Sequence, residues 1–340
     1  MRGLAIFIVV LNHTIVIGLA GLEKIQLQAS GILLTILNIL TTLGVYAVPI
    51  FLFFAGCYIN YALEGRSLWN SYRIIFKTIL IVLWPYIIWS ILFYMVIYLD
   101  GRTYFTLWGY LKNLIVGYPY NFIPILIFYY LLSPILSKFK GYSFLIPICF
   151  IAVYQIFLIA LGNPSFFGFN LPEYTHIFAL PVLHETMRLW AIFFPMGLYV
   201  KSFTSMSEPH KRTYIIILSI LAIAVLILSY LSLYGPLQLA WINFLVPIPF
   251  LLLSVLWERK KIPFLKFLER LGKRSYGLYF MNLIVLDGLV LIFNLFLKHN
   301  SNLIIFYFMG LFLVTLVLPV VFMEWVERKL NRKVYLYLFG

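Results

Sequence analysis

The 340-residue chain is 64% apolar and only 11% charged, against about 25% charged in soluble domains, which excludes an ordinary soluble globular protein. Its formal net charge of +14 does not mark a nucleic-acid binder, because Lys and Arg cluster in alternate loops rather than along one stripe. With no long polar stretch to form a soluble domain, residues 1–340 read as a single integral-membrane domain. The expected class is all-α, a polytopic transmembrane helical bundle.

The first run begins Arg2-Gly3-Leu4-Ala5 and carries Asn12-His13 where apolar residues would be expected. His13 follows Arg2 by eleven positions. On a helix that is roughly three turns, an offset of about 20° and a rise of about 16 Å. Both side chains therefore share one face, Arg2 at the membrane edge and His13 deep within. A basic start followed by an apolar run resembles a signal peptide, but Asn12-His13 interrupts it and no small-x-small site follows. An uncleaved first span is expected.

Counting runs of about 20 apolar residues gives ten expected spans: 3–22, 42–63, 74–99, 120–137, 142–161, 182–200, 213–234, 237–257, 276–297 and 302–324. Shorter apolar stretches at 30–41 and 105–117 suit interfacial helices. Cys57 and Cys149 lie singly in apolar segments and suit packing, with neither a disulfide framework nor a zinc spacing. One set of loops holds Arg2, Arg66, Arg73, Lys138, Lys140, Lys201, Lys211 and Arg212, the cations of 259–274 and those of 328–333. The other holds Lys24, Arg102, Lys112 and Lys298. That asymmetry predicts both termini in the cytoplasm.

The segment 258–274 is the most basic. Phe264, Leu265, Leu268 and Leu271 recur at helical spacing among its charges, predicting an amphipathic helix on the inner surface. Attraction to anionic lipid explains it; a phosphate-binding surface is the alternative. Inside the expected spans lie His184, Glu185, Arg188 and Asp287. The first three share one helix face. Arg188 and Asp287 each lie 13 residues from an inner-edge cation, Lys201 and Arg274, a rise of about 20 Å. Glu185 and Arg188 are also spaced to neutralise each other. No P-loop, dinucleotide fingerprint, metal motif or serine nucleophile elbow is present, so no metal is expected.

Several blocks carry a resemblance. Arg2-Gly3-Leu4-Ala5 with His13 is similar to the first motif of the membrane-bound acyltransferase 3 family. Phe51-Leu52-Phe53-Phe54-Ala55-Gly56 resembles its second block, and Tyr72-Arg73-Ile74 with Trp84-Pro85-Tyr86 and Trp89 its third. Asn121-Phe122 to Tyr130-Leu131-Leu132-Ser133-Pro134 resembles its fourth. Leu271-Gly272-Lys273-Arg274-Ser275-Tyr276-Gly277-Leu278-Tyr279 resembles the block opening a late span, and Glu327-Arg328-Lys329 its acidic-basic ending. The chain departs from the pattern at Ala55, usually Ser, at Phe122, usually Trp, and at Asn282, where His often stands. The Asp usually three residues before the Arg has no counterpart here.

The resemblance implies transfer of an acyl group, acetyl or succinyl, from cytoplasmic acyl-CoA to a hydroxyl of a cell-surface or lipid-linked carbohydrate, at the plasma membrane. Acyl-CoA would be a co-substrate, with no tightly bound cofactor; membrane lipid would be the remaining partner. Such transfer needs a base, a positive group for the oxyanion and exclusion of water. His13 is the expected base, with Glu185, Arg188 and Asp287 as its candidate catalytic companions. Arg2, Arg73, Lys77, Lys273 and Arg274 are the expected contacts to CoA phosphates. A transporter or flippase for a glycan or small molecule is the alternative, since buried charges and Pro-interrupted spans suit one.

Overall fold

The computed structural model describes residues 1–99, 101, 105–162, 172–207, 211–235, 243–256, 264–297 and 303–340. Among them every regular element is helical and no strand occurs. In chain order the helices are α1 (Arg2–Lys24), α2 (Gly31–Thr42), α3 (Ala47–Leu63), α4 (Leu68–Leu99), α5 (Leu107–Val116), α6 (Phe122–Leu136), α7 (Leu145–Gly162) and α8 (His184–Trp190). They continue with α9 (Phe193–Leu198), α10 (Val200–Ser207), α11 (Lys211–Tyr234), α12 (Pro247–Leu256), α13 (Leu265–Lys273), α14 (Ser275–Leu297), α15 (Ile304–Lys329) and α16 (Arg332–Phe339).

Among the described residues seven segments are long and apolar enough to cross a membrane: Arg2–Lys24, Gly31–Leu63, Leu68–Leu99, Gly141–Gly162, Lys211–Tyr234, Ser275–Leu297 and Ile304–Lys329. Seven of the expected spans fall on these. Two more, 120–137 and 237–257, meet the shorter apolar helices α6 and α12, and the second extends into residues outside the described set, as do 258–263 of the basic loop. The expected 182–200 span is instead broken into α8 and α9. Gln155 of α7, only 1% exposed, bridges that break. Its Nε2 donates to the Arg188 carbonyl and its Oε1 accepts from the Ile192 amide, both at 3.1 Å. Backbone groups released by the break are thus satisfied away from water, as an apolar surrounding requires.

The chain divides into two compact units. The first comprises Met1–Ala47, Ile81–Tyr104 and Ile262–Gly340. Here α1 packs against α13, α14 and α15, and glycines set the approach. A Cβ on Gly3 would collide with the Leu268 carbonyl of α13, and one on Gly272 would reach the Gly3 amide. Further along α1, Gly18 and Gly21 lie under Phe308, Tyr307 and Val290. Because the glycines admit these neighbours, Asn294 Nδ2 reaches the Gly21 carbonyl at 3.0 Å and Tyr307 Oη the Gly18 carbonyl at 3.2 Å. Small residues and interhelical hydrogen bonds replace the hydrophobic drive that lipid cannot supply. The paired positions 13 with 282 and 21 with 294 show that α1 and α14 run parallel. Phe7 packing edge-on to Phe312 at 5.2 Å shows that α15 returns antiparallel. Trp89 closes the unit, its Nε1 donating to the Leu338 carbonyl at 2.7 Å.

The second unit comprises Val48–Leu80 and Phe105–Lys261. Gly56 of α3 and Gly197 of α9 bring two backbones together. A Cβ on either would strike main-chain atoms across the contact, Phe194 O and Phe53 O respectively. Around this contact Tyr129 stacks on Phe194 with ring centroids 5.1 Å apart and donates to the Ala191 carbonyl at 2.6 Å. Phe51 stacks on Phe122 at 5.7 Å, so the second and fourth family-like blocks meet through their aromatic residues. Tyr199 Oη reaches the Leu136 carbonyl at 2.7 Å.

Gly197→Ala is expected to destabilise the protein by about 1–3 kcal/mol, because backbone cannot yield to the new methyl. Gly288→Ala, on α14 with open space beside it, is expected to be neutral or stabilising by up to about 1 kcal/mol. Thermal unfolding of the purified variants in detergent checks both signs.

Candidate active site

His13 lies half-buried at the midpoint of α1. Its Nδ1 stands 2.7 Å from Oδ1 of Asn282 on α14. Asn282 is completely buried, and its amide nitrogen is committed to the Leu278 and Tyr279 carbonyls one turn back. An amide nitrogen so placed leaves the oxygen facing His13, and an amide oxygen only accepts. Nδ1 of the neutral imidazole therefore carries the proton, and the Nε2 lone pair is free to take one. Asn282 does for this ring what an orienting carboxylate does elsewhere, without placing a second charge in the span.

The register between α1 and α14 produces this pairing, with the close Gly3–Gly272 approach below it and the Asn294–Gly21 bond above. Asn12 secures the other side of α1. Its Nδ2 donates to the Thr41 carbonyl at 3.1 Å, and Gly44 leaves room for the side chain. The Asn12-His13 interruption thus has two functions, one residue holding α2 and the next presenting an imidazole.

Asp287 is half-buried on α14. Five residues beyond Asn282, it lies about 140° further round the helix. Asn282, not Asp287, is what α14 presents to Nδ1.

Arg2 sits where α1 meets α13, its Cβ 3.6 Å from where a Cβ on Gly272 would stand. Lys273 follows at that corner and is exposed. Arg274 is already engaged, meeting Glu327 at 2.9 Å and Glu324 at 3.7 Å with its side chain only 15% exposed. Arg270 binds Glu324 through Nε and Nη2. The late block thus supplies ion pairs to α15 as well as a basic surface.

In the second unit Arg73 and Lys77 are exposed one turn apart on α4. Glu185 pairs with Arg188 on α8 and meets His184 Nε2 at 3.3 Å. These side chains and His176 line a cavity of about 150 Å³. The close Glu185–Arg188 pair is the mutual neutralisation that their spacing allows.

The acyltransferase-domain family matches residues 1–324. The chain belongs to the acyltransferase 3 family. Neither a curated protein nor a solved structure matches it. The protein is an acyl-transferring enzyme, and its apolar helices make it a multi-pass membrane acyltransferase. Of the residues singled out from the sequence, His13 gains a partner that charge-based reasoning passed over. The available signal was Asn282 itself, an amide inside an apolar run.

Replacing Asn282 by Leu leaves Nδ1 without its acceptor. Turnover of the acyltransferase is expected to fall by about 10²-fold, with KM for the acyl donor nearly unchanged. Asn282→Asp, which keeps an acceptor oxygen, should restore part of it. Steady-state kinetics separate this from a folding defect, which would lower active-enzyme content without the Asp variant recovering turnover.

Proposed function

We propose that this acyltransferase moves an acyl group, acetyl or succinyl, from cytoplasmic acyl-CoA to a hydroxyl of a cell-surface or lipid-linked carbohydrate. The observation that carries the reading is His13, its Nδ1 held 2.7 Å from Asn282 Oδ1, in the block that resembles the family's first motif. The family match favours transfer over transport.

In the proposed step the acceptor oxygen attacks the thioester carbonyl while its proton passes to His13 Nε2. Collapse of the tetrahedral adduct breaks the carbon–sulfur bond, and the departing CoA sulfur takes the proton back from the imidazolium. The products are an ester and free CoA thiol, and no acyl-enzyme is required. Arg2 and Lys273 would hold CoA phosphates at the inner edge. Arg73 and Lys77 are the second unit's own candidate cations for a phosphate. The rise of about 16 Å between Arg2 and His13 suits the extended pantetheine arm. Arg274 contributes through its ion pairs, and Glu185 with Arg188 acts as a structural pair.

The Lys and Arg distribution supports ten spans with both termini in the cytoplasm of a plasma-membrane protein. Acyl-CoA then stays on the cytoplasmic side, and only the acyl group passes outward to the acceptor.

Purified protein given acyl-CoA and candidate glycans should release free thiol only when the acceptor is present. His13→Ala should lower that release by about 10²–10⁴-fold while acyl-CoA still binds. Near-normal turnover of His13→Ala would overturn the assignment. For Arg2→Ala weaker acyl-CoA binding is expected, with turnover largely recovered at saturation. A reporter fused after Gly340 should read as cytoplasmic; an external signal would refute the orientation.

A further inference from the structure

A second polar concavity lies wholly within the second unit, at residues outside the proposed reaction. The turn after α3, the turn between α6 and α7 and the junction of α9 with α10 converge on a cavity of about 460 Å³. That volume lies in the range of small-molecule sites. Its charged lining is Arg66, Lys138, Lys140 and Lys201 against one carboxylate, Glu64.

The hydrogen bonding separates these cations. Lys201 is spent: its ammonium pairs with Glu64 and lies 4.5 Å over the Tyr61 ring. Among the described residues Arg66 binds internally only through Nε, donating to the Ala62 carbonyl at 2.8 Å, which leaves the outer edge of its guanidinium open. Lys138 makes one long contact, 3.4 Å to the Arg66 carbonyl. Lys140 is exposed in the same turn. Among the described residues, three cations thus line one cavity whose one carboxylate has been taken by the fourth. Gly65 and Gly141, both at positive φ, turn the chain tightly at the rim, and neither has an atom within 4 Å of where a Cβ would stand.

Positive charge needed only to orient a membrane protein can be spread along the loops. Here it converges from two separate turns on one concavity, with a planar guanidinium beside two ammonium groups. Guanidinium suits two oxygens of one phosphate, and ammonium suits the remaining charge.

We propose that this cavity is a phosphate-ester site, binding a group of two or more negative charges such as a pyrophosphate. The ester can belong to a soluble nucleotide-like molecule or to a lipid headgroup, and the site stands whether or not His13 is the base.

The test uses the full chain in nanodiscs of neutral lipid, with inorganic pyrophosphate as probe. Wild type should bind it, and Lys138→Gln/Lys140→Gln and Arg66→Gln should each weaken binding by about tenfold or more. Lys333→Gln, the same charge change on α16 in the other unit, should alter it by less than about twofold. Thermal unfolding confirms that each variant is folded. Displacement of the probe by CoA assigns a soluble ester, and loss of probe binding in nanodiscs containing phosphatidic acid, a phosphate-monoester lipid, assigns a headgroup; either supports the site. Folded cavity variants that bind pyrophosphate like wild type, or a Lys333→Gln loss of equal size, would overturn it.

Discussion

The approach of α1 to α13 at Gly3 sets the geometry of the first unit. A side chain at that position would meet the Leu268 carbonyl, and main chain has nowhere to retreat. With hydrogen at both Gly3 and Gly272, the start of α1 rests on the corner from which α14 departs. Parallel α1 and α14 then rise from a fixed origin. One consequence is that an imidazole 10 residues up α1 from Gly3 meets an amide 10 residues beyond Gly272. Asn294 and Gly21 close the same seam further along. The Arg270 and Arg274 bonds to Glu324 and Glu327 tie that corner to α15. Exposed ion pairs contribute little energy, about 0–1 kcal/mol each, so their value here is positional.

Much of the architecture was legible from composition alone. Long, predominantly apolar runs became helices at 2–24, 211–234, 275–297 and 304–329, because a chain in lipid must satisfy its backbone internally and a helix does so within one segment. The family-like blocks also have physical explanations. Gly56 and Gly277 lie where another atom already occupies the place of a Cβ, a Cβ on Gly272 would press on the Gly3 amide, and Phe51 meets Phe122. What the sequence withheld depends on partners far away in the chain. The break between α8 and α9 rests on Gln155, a residue that looks like an isolated polar substitution in an apolar helix. The commitment of Arg274 to α15 rests on acids about 50 residues later, whose register no local spacing reveals.

The orientation of His13 shows the same limit in sharper form. Depth along a helix can be read from residue counts, and depth selected charged residues, Arg188 and Asp287, as its companions. Azimuth cannot be read that way. It depends on which face of α14 turns toward α1, and that was decided by glycine contacts at either end. The hydrogen-bond partner at His13 Nδ1 is an uncharged amide, and that has an energetic advantage. A carboxylate against the imidazole would put a formal charge in a span, at a cost of several kcal/mol if unpaired. The amide orients the ring with no such cost, provided its own nitrogen is satisfied, and the Leu278 and Tyr279 carbonyls satisfy it.

The surplus of positive charge now divides by geometry. A formal net charge of +14 means that many cations can have no carboxylate of their own, so pairing cannot explain them. Those at the α15–α16 end, Arg328, Lys329, Arg332 and Lys333, follow one another along the chain and are exposed. A field from such a series attracts an anionic leaflet without selecting a molecule. Arg66, Lys138 and Lys140 come from two separate turns and border one concavity. Bringing like charges to a common cavity raises their mutual repulsion, and an anion in that cavity removes it. Orienting a membrane protein needs only the number of cations on one side, whereas binding one anion needs their placement, and placement is what sets Arg66, Lys138 and Lys140 apart.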